Sequence, residues 1–243
     1  MSEAAAVWSL EATRARRLAA YLAARGWLSR VRRDSYTTVP LGATSPKQWR
    51  EDPWVVAAKT FAPCYLGGWT ACEHWGLTEQ IFREIIVFTT RRVRHRQEEI
   101  QGTRFCVKVV TAARMFGLVD VWRAQNQVKV SDSTRTIVDL LNDPVVGGGM
   151  RQVADVLRNY FEGTFRNDDQ LADYAARIGN RAVFKRLGYL LETLEIRSAK
   201  LTELCAKQMS TGISLLDPSG KLTGPILNRW GLRVNVNLNN GVE

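Results

Sequence analysis

The sequence is poor in the residues that build metal and redox centres. It has two histidines and four cysteines among 243 residues. Cys64, Cys72, Cys106 and Cys205 form no C-x-x-C pair, and with only His74 and His95 to join them no zinc site and no metal cofactor is expected. Four scattered cysteines in a chain of this length read as reduced, mostly buried thiols, which suits the cytoplasm. The amino terminus lacks the charged-then-apolar plan of a signal peptide. No apolar run reaches the roughly 18 residues that a membrane span requires. The expectation is a soluble cytoplasmic protein with no membrane partner. Nucleotide and hydrolase motifs are missing too: there is no P-loop, no G-x-G-x-x-G and no H-E-x-x-H. Acidic residues are scarce beside basic ones, 24 against 34, which leaves a net charge of +10. Such an excess draws a protein toward polyanions, nucleic acid foremost. The length allows one large domain or two smaller ones.

The charge is concentrated at one end. Residues 1–50 carry nine basic groups against Glu3, Glu11 and Asp34. Leu10 to Arg25 contains no Gly or Pro and is rich in Ala, Leu and Arg, which predicts a helix ended by Gly26. At about 100° per residue, Ala15, Leu18, Ala19 and Leu22 share one face. Thr13, Arg16, Arg17, Ala20 and Ala24 share the other, with Arg14 and Tyr21 at its edge. The small residues on that face would let the backbone approach a groove closely. Trp27 to Arg32 and Ser35 to Val39 are rich in β-branched and aromatic residues around a break at Arg33-Asp34, which predicts a hairpin with Arg30 and Arg32 alternating on one face. A helix followed by a basic hairpin is the plan of a winged helix-turn-helix, with the helix in the major groove and the hairpin arginines on phosphates or the minor groove. The candidate DNA contacts are Thr13, Arg14, Arg16, Arg17, Arg30, Arg32 and Arg33. The alternative for this stretch is a solvated basic helix packed on its own domain.

Pro40, Gly42, Ser45 and Pro46 mark a linker, which divides the chain into 1–42 and 47–243. Beyond it, a short helix is predicted over Asp52 to Phe61 and strands over Ile85 to Thr89, Phe105 to Val110, Leu118 to Trp122 and Gln127 to Val130. Helices follow over Thr134 to Leu141, Met150 to Glu162, Asp168 to Ile178, Arg181 to Glu195 and Lys200 to Gln208. Strands followed by a run of helices predict an α+β domain. Residues 237–243 are polar and expected to fray. Between two predicted strands, Arg91, Arg92, Arg94, His95 and Arg96 form a second basic cluster, a candidate second nucleic-acid contact or a solvated loop. If this loop and the hairpin both touch DNA, the two units must dock side by side.

No catalytic constellation emerges from the remaining polar residues. His74 sits beside Glu73 in a Trp-rich block and reads as structural. Asp132 precedes Ser133-Thr134 and reads as a helix cap. Asp139 and Asp143 lie four apart on the predicted helix, where a solvated face is the default. Gly147 to Gly149 precede a helix and could cradle an anion at its N-terminus, but read as a flexible connection. Trp69, Cys72 and Trp75 fall at helical spacing and read as core.

The block from Tyr65 to Gln80, YLGGWTACEHWGLTEQ, resembles the signature of AbiEi-type antitoxins, the regulatory half of the two-gene AbiE abortive-infection (type IV toxin–antitoxin) systems of bacteria and archaea. Four further stretches resemble that family in order: Gly26 to Tyr36, Val130 to Pro144 (VSDSTRTIVDLLNDP), Gly179 to Glu192 (GNRAVFKRLGYLLE) and Trp230 to Asn235 (WGLRVN). Together they span nearly the whole chain. The resemblance implies a non-enzymatic antitoxin and transcriptional autorepressor. Its winged-helix domain would bind the operon's double-stranded promoter DNA. Its larger carboxy-terminal domain would counter a nucleotidyltransferase-like toxin without a stable toxin complex. A homodimer or cooperative binding on DNA fits the same picture, and no cofactor is implied. Two departures stand out. Asp34 occupies a position where the family's wings usually carry Gly. The family's domain has a further helix ahead of the Ser2 to Trp8 segment, so the winged domain is expected to lack its first helix. The alternative that follows is an antitoxin acting through its carboxy-terminal domain alone, with DNA binding lost.

Overall fold

The computed structural model describes residues 2–32, 34–43, 45 and 48–238. The amino-terminal unit comprises helix α1 (Ser2–Val7), helix α2 (Ala12–Ala24) and an antiparallel hairpin of β1 (Leu28–Arg32) and β2 (Ser35–Thr38). The predicted apolar face of α2 is the buried one: Ala15 and Ala19 are fully covered, and Leu18 and Leu22 half-covered. The regular alternation expected for Arg30 and Arg32 is interrupted between them. The pairing register slips between them, with Arg30 opposite Tyr36 and Arg32 opposite Ser35. A β-bulge of this kind re-aims the side chains beyond it. Arg30 remains exposed, whereas Arg32 is half-buried against the rest of the protein.

After the linker, Asp52 caps helix α3 (Pro53–Phe61), its carboxylate accepting the Trp54 N–H at 2.7 Å. Then come β3 (Cys64–Leu66), α4 (Gly68–His74), β4 (Glu84–Thr89), β5 (Gln97–Ile100), β6 (Thr103–Val109), β7 (Leu118–Arg123) and β8 (Asn126–Ser131). Six of these strands form one mixed sheet in the order β5-β6-β4-β3-β8-β7, with β4–β6 and β3–β8 parallel and the remaining pairs antiparallel. Alternate strand residues face opposite ways, and both faces are covered. Tyr65, Ile86 and Phe88 point into one core, while Leu66, Val87, Phe105, Val107 and Val130 point into a second, closed by Val55, Val56 and Phe61 of α3.

The first core is roofed by α5 (Ser133–Asn142), α6 (Met150–Glu162), α7 (Asp168–Arg177), α8 (Ala182–Thr193) and α9 (Ala199–Gln208). A small three-stranded sheet of β9 (Ser214–Leu215), β10 (Ile226–Leu227) and β11 (Leu232–Arg233) closes the described chain. It is tied to α8. Lys185 Nζ donates to the Gly212 carbonyl at 2.7 Å, and Arg186 reaches the carbonyls of Leu141, Leu215 and Leu216. Trp230 is fully buried on Gly188, where an added Cβ would fall 2.1 Å from the indole. The protein is an α+β fold. Among the described residues no helix is long and apolar enough to cross a membrane. The expected fraying end lies mostly outside the described residues, from 239 onward.

Two further expectations need correction. Gly147 to Gly149 are packed, not a loose connection. A Cβ on Gly147 would meet Leu140 and Val153 at 2.7 and 2.9 Å, and Gly148 and Gly149 adopt φ of +84° and +98°. The first N–H of the helix they lead into is already taken by a carboxylate, because Asp217 accepts the Met150 N–H at 2.9 Å. Asp139 is not on a solvated face. It is 2% exposed, receives the Arg135 guanidinium through Nε and Nη2 at 3.0 and 2.9 Å, and accepts the Tyr65 hydroxyl at 3.0 Å. Burial opposes the Arg135 charge and the Asp139 carboxylate outweighs it, holding the guanidinium ionised.

Candidate nucleic-acid interface

Helix α2 presents Thr13, Arg14, Arg16 and Arg17 on its exposed side, as its periodicity predicts. The helix and the hairpin are joined across this surface. Arg16 Nε donates to Asp34 Oδ1 at 3.1 Å, so the carboxylate of the turn is balanced by a helix arginine and Arg16 is partly neutralised. Asp34 adopts a left-handed φ of +59°, which suits a tight two-residue turn and which Asp tolerates better than most residues. Arg33, also a predicted contact, lies outside the described residues. Among the described residues no carboxylate pairs with Arg14, Arg17 or Arg30.

The hairpin is bonded to the sheet at edge strand β5. Arg32 Nη1 lies 4.0 Å from Glu98 Oε1, and Val31 packs on the second core. Ser29 Oγ donates to the Trp49 carbonyl at 3.1 Å, and the Thr37 hydroxyl donates to the Glu51 carboxylate. Gln101, in the β5–β6 turn, reaches three groups at once. Its Nε2 donates to Ser29 Oγ at 3.1 Å and to the Arg30 carbonyl at 3.3 Å, and its Oε1 accepts the Glu51 N–H at 3.2 Å. Nothing in composition or periodicity singles these residues out. The one cue is the Gln-Gly pair between two β-type segments, a pattern of two-residue hairpin turns.

The second basic cluster enters the same edge. It connects β4 to β5, and Arg91, Arg92, Arg94, His95 and Arg96 are exposed. Arg96 is two residues from Glu98, so at about 3.3 Å per residue the loop emerges about 7 Å along β5 from the Arg32 contact. Val93 anchors it on the core that also receives Val31. Arg91, though exposed, is tied to the end of α3, its Nη1 donating to the Thr60 carbonyl at 3.3 Å. Among the described residues no carboxylate pairs with Arg92, Arg94 or Arg96. The two predicted basic surfaces therefore lie side by side.

The remaining candidates have structural surroundings. Asp132 caps α5, accepting the Arg135 N–H at 2.7 Å, and Asp143 pairs with Lys108 at 2.8 Å. The His74 ring lies edge-on between Trp54 and Trp75, at 5.4 and 4.7 Å; burial and then the nearby Arg123 charge lower its pKa. Trp75 donates to the Ser131 carbonyl and Trp69 stacks on Phe82. The four thiols are free; burial pushes Cys64 up to about 11 and Cys205 up to about 12, and raises Cys72 and Cys106 as well. No group of three or more His, Cys, Asp or Glu side chains that could hold a metal ion occurs among the described residues.

No protein-family model matches the chain, and no curated protein matches it. Among solved structures, the chain is similar to the crystal structure of the Rv2827c protein from Mycobacterium tuberculosis. The two share 15% sequence identity at a TM-score of 0.62, over 90% of this chain and 78% of that one. At that identity, the likeness is one of fold alone.

Proposed function

We propose that the chain is a DNA-binding regulator of the AbiEi antitoxin type. The amino-terminal unit acts as a winged helix-turn-helix on the promoter of its own operon. The larger unit counters a nucleotidyltransferase-like toxin without forming a stable complex with it. The chain works in the cytoplasm and catalyses no reaction. One observation carries the DNA-binding part. The exposed basic side of α2, the exposed Arg30 and the Arg92–Arg96 loop are linked through bonded elements into neighbouring surfaces on one edge of the protein. Arginines without a carboxylate beside them keep their full charge for phosphates, and two basic surfaces spaced along a duplex release more counterions than one.

The test is a gel-shift titration of the full chain against the DNA upstream of its own reading frame, at several salt concentrations. Arg17→Ala and Arg30→Ala should each weaken binding to all duplexes and flatten the salt dependence by about 0.9 for each phosphate no longer neutralised. Affinity and slope unchanged in both variants would remove the hairpin-and-helix assignment. The antitoxin-only reading has one observation in its favour. Among the described residues, the buried side chains of the amino-terminal unit are small, Ala15, Ala19, Thr37 and Val39. Absence of any shift by the wild-type chain, combined with rescue of toxin-expressing cells, would select that reading.

A further inference from the structure

Gln101 stands where its side chain is poorly suited. It forms, with Gly102, the two-residue turn between β5 and β6, closed by the Ile100–Thr103 pair. Both turn residues are left-handed, with φ of +52° and +82°. That is the backbone of a type I′ turn, whose first position favours Asn, Asp or Gly. Gln lacks their compact shape and takes the same backbone strain as any longer residue. What it has in return is reach. Its carboxamide spans from the turn to the hairpin on one side and to the linker on the other, using both of its ends.

We infer that Gln101 is a positioning residue that holds the β1–β2 hairpin against edge strand β5, aligned with the basic loop beside it. Three bonds meet at this one side chain. Two go to β1, at Ser29 and Arg30, and the third goes to the backbone of Glu51, whose own carboxylate receives Thr37 of β2. The clasp thus grips both strands of the hairpin and the chain leading into α3. Val31 packs on the second core without fixing a direction, and the other polar contact to β5 is the weaker one. The Arg32–Glu98 pair is long at 4.0 Å and half-exposed, and exposed ion pairs fix little. A local strain that turn-compatible residues would relieve, kept beside a bonded interface, marks a position chosen for what its side chain touches. The role in aligning two DNA-contacting surfaces rests on the functional reading above; the clasp itself does not.

Two variants of the full chain separate the clasp from the turn. Gln101→Gly relieves the left-handed backbone and deletes the carboxamide. Gln101→Asn suits the turn and keeps a carboxamide one methylene too short to reach across. The expected result is that both melt at or above the wild-type temperature, while amides of residues 28–38 exchange about tenfold faster or more and those of α5 and α6 are unaffected. Hairpin exchange equal to wild type in both variants would overturn the inference. So would loss of the whole fold in both, since Gln101 would then support the sheet and not the hairpin. On the duplex, both variants should bind about tenfold more weakly. Faster hairpin exchange with unchanged affinity would overturn the aligning role. Failure of the wild-type chain to bind any duplex would instead strike the functional reading and leave the exchange result to decide the clasp.

Discussion

Asp34 sits at the tip of the hairpin with a left-handed φ of +59° and its carboxylate on Arg16 of α2. Two small effects oppose each other there. The backbone strain costs about 1 kcal/mol relative to glycine. The ion pair is more than two-fifths exposed on both sides and returns at most about 1 kcal/mol. Neither dominates stability, so the consequence of the residue is electrostatic. If α2 meets a duplex as proposed, this charge lies next to an arginine that would otherwise face the phosphate backbone. Asp34→Gly should leave the melting temperature within a few degrees of wild type and raise duplex affinity several-fold at low salt. The gain should shrink as salt screens it. Affinity titrations of the two proteins at low and high salt check this, and equal affinities at low salt would refute it. The buried counterpart of this surface pair, elsewhere in the fold, is Arg135 with Asp139, where charge is sequestered instead of displayed. Both pairs are carboxylate on guanidinium, and burial alone decides that one holds the core and the other tunes a surface.

Helix α6 shows how an element's boundary depends on distant chain. Three consecutive glycines bring the backbone through a packed corner, and Asp217 then accepts the first helical N–H. Burial pushes the Asp217 carboxyl up, but donors from Ser219 and Met150 and the charge of Arg186 outweigh it, so its pKa falls below the ordinary 3.8. A depressed carboxyl stabilises the fold above its unfolded value and loses that contribution as pH falls through its folded value. Asp217→Asn should therefore cost about 1–2 kcal/mol at pH 5, and the gap to wild type should narrow as both are melted at pH values falling below 3.8. A gap independent of pH would show that the charge is not what the helix end uses. The limits of α6 were legible in the sequence because Gly149 and Gly163 bracket an amphipathic run. Strand β5 was not legible. As an edge strand it reads Gln-Glu-Glu-Ile, a polar pattern that only its pairing with β6 and its cover by the hairpin explain. Asp139 misled for a related reason. Four-residue spacing describes a helix surface, and tertiary packing of α4, α6, α7 and α8 around α5 turned that surface inward.

At the scale of the whole molecule, the candidate site was half legible. The periodicity of α2 was enough to identify Thr13, Arg14, Arg16 and Arg17 as an exposed face, because the apolar residues opposite them, Ala15, Leu18, Ala19 and Leu22, are the ones that gain from burial. The relation between that face and the basic loop was not legible, because it depends on bonds between residues as far apart as Ser29 and Gln101. Those bonds turn two separate charge clusters into one edge. If that edge follows a duplex, the loop contributes to binding without reading bases, since its arginines sit on a connection outside both α2 and the hairpin. Replacing Arg92, Arg94 and Arg96 together with Ala should leave folding within about 0.5 kcal/mol of wild type, as the side chains are exposed and without acidic partners among the described residues. Affinity should fall equally for the chain's own upstream DNA and for unrelated duplex, and the slope of log affinity against log salt should lessen by up to about 2.7, roughly 0.9 for each arginine removed from a phosphate. A loss confined to the upstream sequence would instead assign the loop to base readout. An unchanged slope would detach the loop from DNA and leave α2 and the hairpin to bind alone.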